Sequence, residues 1–405
     1  MPHLIVFSHL RWAFVFQRPQ HLLSRLARRY SVVFVEEPVH TEGPSRLERS
    51  TPVAGVDVLR PHTPVEAVGF HDDQLSALAP LIAGYLVDEA ITDYVVWFYT
   101  PMALPLLADL SPRAVVYDCM DELSAFKNAP RQMRQREQAL LRRADLVTTG
   151  GPRLYEAKRR SNPNVLCLPS AVDAAHYAPR RAQPDDLTVV AAAALQGHIP
   201  FPRLGFFGVI DERLDLDLVA SVADADPAWH VVMVGPVVKI DPATLPQRPN
   251  LHWLGQQAYE ILPKLVAGWD VCLMPFARNE STAFISPTKT LEYMAAGKPI
   301  VSTPIHDVQA MFGDLVAIAA TPKSFIAACR AALSEQKAET AERQDAMRAR
   351  VSSYSWDAAA GTIIAALDRV LAPPALVDER DEASSAEATP TAGAALGWRQ
   401  VASAG

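Results

Sequence analysis

A chain of 405 residues exceeds the usual size of one hydrophobic core, so two domains are expected. Its formal net charge of −7 argues against a general nucleic-acid binder while leaving room for local basic patches. The four cysteines, Cys119, Cys167, Cys272 and Cys329, form no CxxC pair and no zinc spacing, which reads as buried reduced thiols.

Met1 runs directly into Leu4-Ile5-Val6-Phe7 without a basic leader, and no apolar stretch reaches membrane-spanning length. A soluble, cytoplasmic protein is the expectation. Short apolar runs then alternate with amphipathic stretches, the pattern of parallel strands joined by crossover helices. Strands are expected at 4–8, 32–36, 95–99, 114–118, 146–149 and 165–168, with helices near 17–29, 73–88, 131–143 and 152–160. The loop after the first strand lacks a Gly-x-Gly-x-x-Gly fingerprint, which counts against a nicotinamide dehydrogenase. Arg131, Arg134, Arg136, Arg142 and Arg143 share a helical stretch. Peripheral contact with a membrane surface is one reading; a solvated face, diluted by Glu137 and Asp145, is the preferred one.

These elements make a first domain over 1–175, followed by a Pro- and Ala-rich crossing at 176–202. The pattern then restarts. Strands at 204–209, 230–234, 251–254, 271–274 and 300–302, with helices near 214–223, 259–267 and 287–296, make a second doubly wound α/β domain over 203–352. A helix at 355–371, within the segment 353–372, is expected to pack back on the body. Residues 373–405 are rich in Ala, Ser, Thr and acidic residues and read as a disordered tail.

Within the second half, Ser286 is a candidate N-cap and Pro287 suits a first helical position. The amides of Thr288 and Lys289, with the Lys289 charge, would then meet an anion. Glu292, one turn on, is placed to accept two hydrogen bonds from a ribose diol. Gly297 reads as the C-cap before the apolar run Ile300-Val301. The alternative is a well-capped amphipathic helix with an exposed Glu and Lys.

Several segments resemble the retaining GT-B glycosyltransferases of the large nucleotide-sugar-dependent group. Leu168-Pro169-Ser170-Ala171-Val172-Asp173 is similar to that family's Pro-Asn-Gly-Val-Asp interdomain motif. Phe206-Phe207-Gly208-Val209-Ile210-Asp211-Glu212-Arg213 resembles the first strand and turn of its second domain. Leu251-His252-Trp253-Leu254-Gly255 and 269–275 resemble the strands that frame the base, and 286–301 matches a Ser-Pro-x-Lys-x-x-Glu-Tyr form of the donor motif. The resemblance reaches to about Leu371.

It implies two Rossmann-like domains facing a cleft and transfer of a sugar, with retention, from a nucleoside diphosphate sugar. UDP is the expected nucleotide, no metal or other cofactor is needed, and the acceptor is a sugar, a lipid-linked or a small-molecule hydroxyl. Synthesis of a cell-surface polysaccharide or glycoconjugate is the expected setting, at the inner face of the membrane if the acceptor is lipid-linked. Nucleic acid is not an expected partner, and the oligomeric state stays open.

Arg213 and Lys289 are then candidates to stabilise the leaving diphosphate, although Arg213 also reads as a surface arginine opening a helix. Gly208, Gly255, Ser286, Thr288 and Glu292 are candidates to bind the donor. Gln17-Arg18-Pro19-Gln20-His21 resembles a segment of some bacterial members, making Gln17, Arg18 and His21 substrate-contact candidates; a helix start with a satisfied histidine is the other reading. Asp118 and Asp121 end a first-domain strand, where a carboxylate can serve the reacting sugar or cap an Asx turn. A functional role is expected for at least one. Phe284 stands where the family's commoner motif has a first glutamate, and Glu280 reads as a solvated charge. That departure leaves two further readings open: a non-catalytic sugar-nucleotide-binding protein, and a GT-B-like epimerase.

Overall fold

The structure is a computed structural model that describes residues 1–178 and 186–372. Residues Met1–Leu371 form one compact unit. It is built on two sheets.

The first contains β1 (His3–Ser8), β2 (Ser31–Glu36), β3 (Val39–His40), β4 (Arg46–Val53), β5 (Val56–Thr63), β6 (Tyr94–Phe98), β7 (Val115–Cys119), β8 (Leu146–Thr149) and β9 (Val165–Cys167). Its order is β3-β5-β2-β1-β6-β7-β8-β9, all parallel, with β4 added antiparallel on β5. Strands β6 and β7 are buried at every residue, as expected of continuous apolar runs covered by helices on both faces. The second sheet contains β10 (Arg203–Phe207), β11 (His230–Val234), β12 (Leu251–Trp253), β13 (Val271–Met274), β14 (Ile300–Ser302) and β15 (Ala317–Ile318), in the order β12-β11-β10-β13-β14-β15. The strand order reverses between β1 and β6 in the first sheet and between β10 and β13 in the second. Loops diverge there and leave a crevice beyond the carboxyl ends of the strands.

Several elements go beyond the sequence reading. The β4–β5 hairpin turns at Gly55, whose φ of +78° favours glycine, and its outer strand exposes polar side chains that carry no apolar signal. The crossing contains the helix Leu187–Gln196, capped by Asp186 through the Thr188 amide. The end of the second domain adds helices Pro322–Leu333 and Lys337–Val351. Residues 179–185 of the crossing and the expected tail at 373–405 lie outside the described residues.

The last helix, Trp356–Leu371, leaves the second domain and packs on the first. Trp356, Ile363 and Leu367 join Leu22, Leu23 and Leu26 in one apolar cluster on a face of the first sheet. Those three leucines belong to the helix Arg18–Leu26, which starts at the crevice. The C-terminal helix thereby steadies the element that carries Arg18 and His21.

Candidate functional site

The carboxyl ends of the two sheets enclose a cavity of about 580 Å³, lined by the 12–18 loop, His21, Met120 and Asp121 from the first domain and by Gly208, Arg213, Tyr259, Lys289 and Glu292 from the second. Its second-domain wall starts at Gly208, just after β10, with φ +142°. A Cβ at this position would overlap Lys289 Cε and lie 2.7 Å from Nζ, so the missing side chain is the space the lysine occupies. Gly235 (φ +145°) backs this turn, and a Cβ there would run into the Gly208 carbonyl.

Lys289 Nζ lies 5.6 Å from the centroid of the Phe206 ring and forms no ion pair among the described residues. Burial lowers its pKa, partly offset by Glu292. Glu292 is 8% exposed, and Tyr177 donates a hydrogen bond to its Oε1 at 3.2 Å. Burial pushes the Glu292 carboxyl up to about 7, against the pull of Lys289. A cation without a counter-ion beside a carboxylate short of donors is an arrangement suited to an anionic ligand that also carries hydroxyls.

Arg213 contributes a second cation. Its Nε and Nη2 donate to the buried Asp211 at 2.9 and 2.7 Å, and its guanidinium lies 5.4 Å from the centroid of Phe126. Lys239 Nζ approaches the same ring at 4.8 Å, so a first-domain phenylalanine is clasped by two second-domain cations. The segment bearing Phe126 is tied down by Lys158, whose Nζ meets Glu122 at 2.6 Å and Glu137 at 2.7 Å. Asp121, on that segment, lines the cavity, and burial raises its pKa against the pull of Arg213 and Arg18.

On the first-domain wall, Glu36 at the end of β2 accepts the Trp12 amide at 2.8 Å and the Arg60 Nε at 2.8 Å. Gln20 donates to the carbonyls of Trp12 and Val15 at 2.7 and 2.9 Å, fixing the loop that carries Phe14 and Phe16. Phe16 stacks on Tyr259 of the other domain at 4.8 Å, and Tyr259 stacks on His176 of the crossing at 4.2 Å. His21 lies flat against Trp356 at 4.7 Å, and burial holds it down to about 3, so it is a neutral ring.

Residues 202–335 match the family Glycosyl transferases group 1. A putative teichuronic acid biosynthesis glycosyltransferase, TuaH of Bacillus subtilis (strain 168), is 26% identical over 298 residues, covering 69% of this chain and 73% of the relative. Among solved structures, sucrose-phosphate synthase from Thermosynechococcus elongatus superposes with a TM-score of 0.71 at 15% identity, over 91% of this chain and 99% of that one. Anabaena HepE, solved with UDP and glucose, gives a TM-score of 0.65 at 16% identity, over 91% of this chain and 100% of that one. The chain has the GT-B fold, and its second domain carries the match to the group 1 glycosyltransferases.

The cleft brings together Gln17, Arg18, His21, Asp121, Gly208, Arg213, Ser286, Thr288, Lys289 and Glu292. Other expectations are corrected. Asp118 is not a cleft carboxylate: it is fully buried, bound by Arg18 and by the Thr148 hydroxyl at 2.8 Å, and it positions Arg18. Gly255 lies off the cavity, and its carbonyl accepts the Gly235 amide at 2.8 Å. Ser286 is not an N-cap. The helix runs Lys289–Ala295 with Thr288 at its cap position and no side-chain capping bond, because the Ser286 segment packs instead against Gly151 of the first domain. Arg213 does not open a helix, since Asp215 caps the helix Leu216–Asp224. Phe284 faces away from the cavity, under the Arg153 guanidinium at 5.8 Å, and Glu280 is exposed.

The sequence reading missed Tyr177, Tyr259 and Phe126, aromatic residues with no local motif, and Asp307. Asp307 is 1% exposed and accepts the Arg153 amide at 3.1 Å, so a second-domain carboxylate caps the first-domain helix Pro152–Lys158. Among the described residues no group of three or more His, Cys, Asp or Glu is arranged to hold a metal ion.

Proposed function

We propose that the protein transfers a sugar from a UDP-sugar to a hydroxyl acceptor, with retention and without a metal ion, in the synthesis of a cell-surface polysaccharide or glycoconjugate. The observation that carries this reading is Lys289, a cation seated in the gap left by Gly208, in no ion pair among the described residues and one turn from Glu292. A diphosphate supplies the missing counter-charge, and a ribose supplies the two donors that Glu292 can still accept. The solved complex of HepE with UDP and glucose supports the choice of nucleotide, and the description of TuaH supports the setting.

In this mechanism the bond from the anomeric carbon to the diphosphate oxygen breaks while the acceptor oxygen bonds to the same face of that carbon. The acceptor proton passes to the leaving diphosphate. Lys289 and Arg213 stabilise the charge that develops on it, the role a metal ion fills elsewhere. Asp121 is the first-domain carboxylate that lines the cavity, and it orients the acceptor hydroxyl or the transferred sugar. The 12–18 loop seats the acceptor. Phe284, turned under Arg153, makes no contact with the transferred sugar. Packing of Phe16 on Tyr259 and of Phe126 between Arg213 and Lys239 excludes water from the closed cleft.

The test is UDP release with a panel of UDP-sugars and acceptors. Acceptor-dependent release, abolished in Glu292→Ala, is the expected result. Tight UDP-sugar binding without turnover would make this a binding protein, and sugar interconversion without acceptor would make it an epimerase.

A further inference from the structure

A strongly basic face lies outside the cleft. Residues 127–160 hold ten Lys and Arg against three Asp and Glu, a net +7 in a chain of net −7. The helix Met133–Arg143 buries Met133, Glu137, Leu140 and Leu141. Arg134, Gln138 and Arg142 recur every four residues on the opposite stripe, and Arg131 extends it by one turn; all four are exposed. Arg136 and Arg143 are spent on Asp72 and Asp145, whereas Arg131, Arg134 and Arg142 form no ion pair among the described residues. The next helix, Pro152–Lys158, ends in the exposed pair Arg159 and Arg160, and Lys127 is exposed ahead of the first. Both helices cover the same face of the first sheet, where Leu140, Leu141 and Leu154 share one apolar cluster.

We infer that this face docks the protein on an anionic lipid bilayer. The unpaired guanidinium groups are spread over two neighbouring helices rather than gathered in a pocket, which suits a broad charged surface better than a single small anion. The exposed side chains between them are Gln, Asp, Glu and Ala, and the one aromatic ring on these helices, Tyr155, is half-buried, which disfavours single-stranded nucleic acid. Each helix follows a segment that meets the second domain: the one before the first carries Asp121 and Phe126, and the second begins at Gly151 against Ser286. No helix among the described residues is long and apolar enough to cross a membrane, so attachment at this face is electrostatic and reversible. The inference stands independently of the sugar chemistry proposed above.

Co-sedimentation of the full chain with vesicles tests it. The protein should pellet with an equimolar mixture of phosphatidylglycerol and phosphatidylcholine, and not with phosphatidylcholine alone. Binding should vanish at about 1 M salt, where the screening length falls to about 3 Å. Each arginine near the surface is worth about fivefold in partitioning, so R131Q/R134Q/R142Q should bind at least about tenfold more weakly, and R159Q/R160Q should also weaken it. Unchanged thermal midpoints and UDP affinity in these variants would show that they are folded. No pelleting of the wild type, or undiminished pelleting of the triple variant, would overturn the inference. So would displacement from the vesicles by duplex DNA at equal phosphate, which would make nucleic acid the occupant.

Discussion

Arg18 and Asp118 form a buried bidentate pair, Nε to Oδ2 at 3.0 Å and Nη2 to Oδ1 at 2.9 Å. The pair holds more than itself. Arg18 Nη1 also donates to the Leu168 carbonyl at 2.8 Å, just after β9, and Thr148 adds a third donor to Asp118. The guanidinium is thus fixed at the cavity wall by β7, β8 and the residue after β9 together. Removal of Asp118 leaves a buried charge without a partner, at a cost of about 3–5 kcal/mol. Asp118→Ala should therefore lower the thermal midpoint sharply. The double variant Arg18→Met/Asp118→Leu should unfold at a higher temperature than Asp118→Ala, since it removes both charges. Equal midpoints for wild type and Asp118→Ala would rule out the assigned role.

Glu292 carries a conflict between stability and binding. Burial raises its carboxyl to about 7, so the free protein loses stability from this group as pH rises from the unfolded value through about 7, and the loss is complete above it. Glu292→Gln removes that loss. Its thermal midpoint should match the wild type near pH 4 and exceed it at pH 8, by up to about 3 kcal/mol in stability. The same change should weaken UDP binding, and Glu292→Ala should weaken it by about a hundredfold, the worth of two hydrogen bonds to a charged acceptor. Only the ionised carboxylate offers both oxygens purely as acceptors to a ribose diol, so binding near pH 6.5 should release a proton, and binding at pH 9 should not. Calorimetry in buffers of different ionisation enthalpy measures this directly. Proton uptake on binding would contradict the placement of ribose on Glu292.

Gly208 and Lys289 should couple strongly. An alanine at position 208 must adopt φ near +142° and displace the lysine side chain. Gly208→Ala is expected to reduce donor affinity nearly as far as Lys289→Ala does, because both empty the same volume of charge. In the Lys289→Ala background the steric part of the penalty disappears and only backbone strain remains. A double-mutant cycle on UDP affinity should therefore be far from additive. Additive losses would mean that the glycine and the lysine act separately.

Much of this wall was legible in the sequence because its signals are local. Strands 146–149, 230–234, 271–274 and 300–302 were read to the residue, since their apolar runs are short, continuous and bounded. Lys289 and Glu292 share one helix turn, and Gly208 follows its strand directly. Contacts across long sequence separations were not legible. Asp118 looked available at a strand end until Arg18, 100 residues earlier, was seen to occupy it. Tyr177 reaches Glu292 across 115 residues, and nothing in the local pattern of either marks the other. The Ser286 cap failed for the same reason: the chain there answers to Gly151, not to its own helix.

That contact makes Gly151 a point of close approach between the two domains. A Cβ on it would overlap Asp307 Oδ2 and lie 2.8 Å from Ser286 Cβ, both across the interface. Asp307 in turn caps the helix that starts there, through the Arg153 amide. Gly151→Ala should force the domains apart, and of the residues that line the cavity it presses directly on Ser286. The expected outcome is a larger radius of gyration in solution scattering with UDP bound, a lower kcat, and UDP affinity within about threefold of wild type, because the nucleotide contacts sit in one domain. Asp307→Ala removes the larger obstacle along with the cap, so in the Asp307→Ala background the further effect of Gly151→Ala should shrink. An unchanged radius and kcat in Gly151→Ala would show that closure does not depend on this contact.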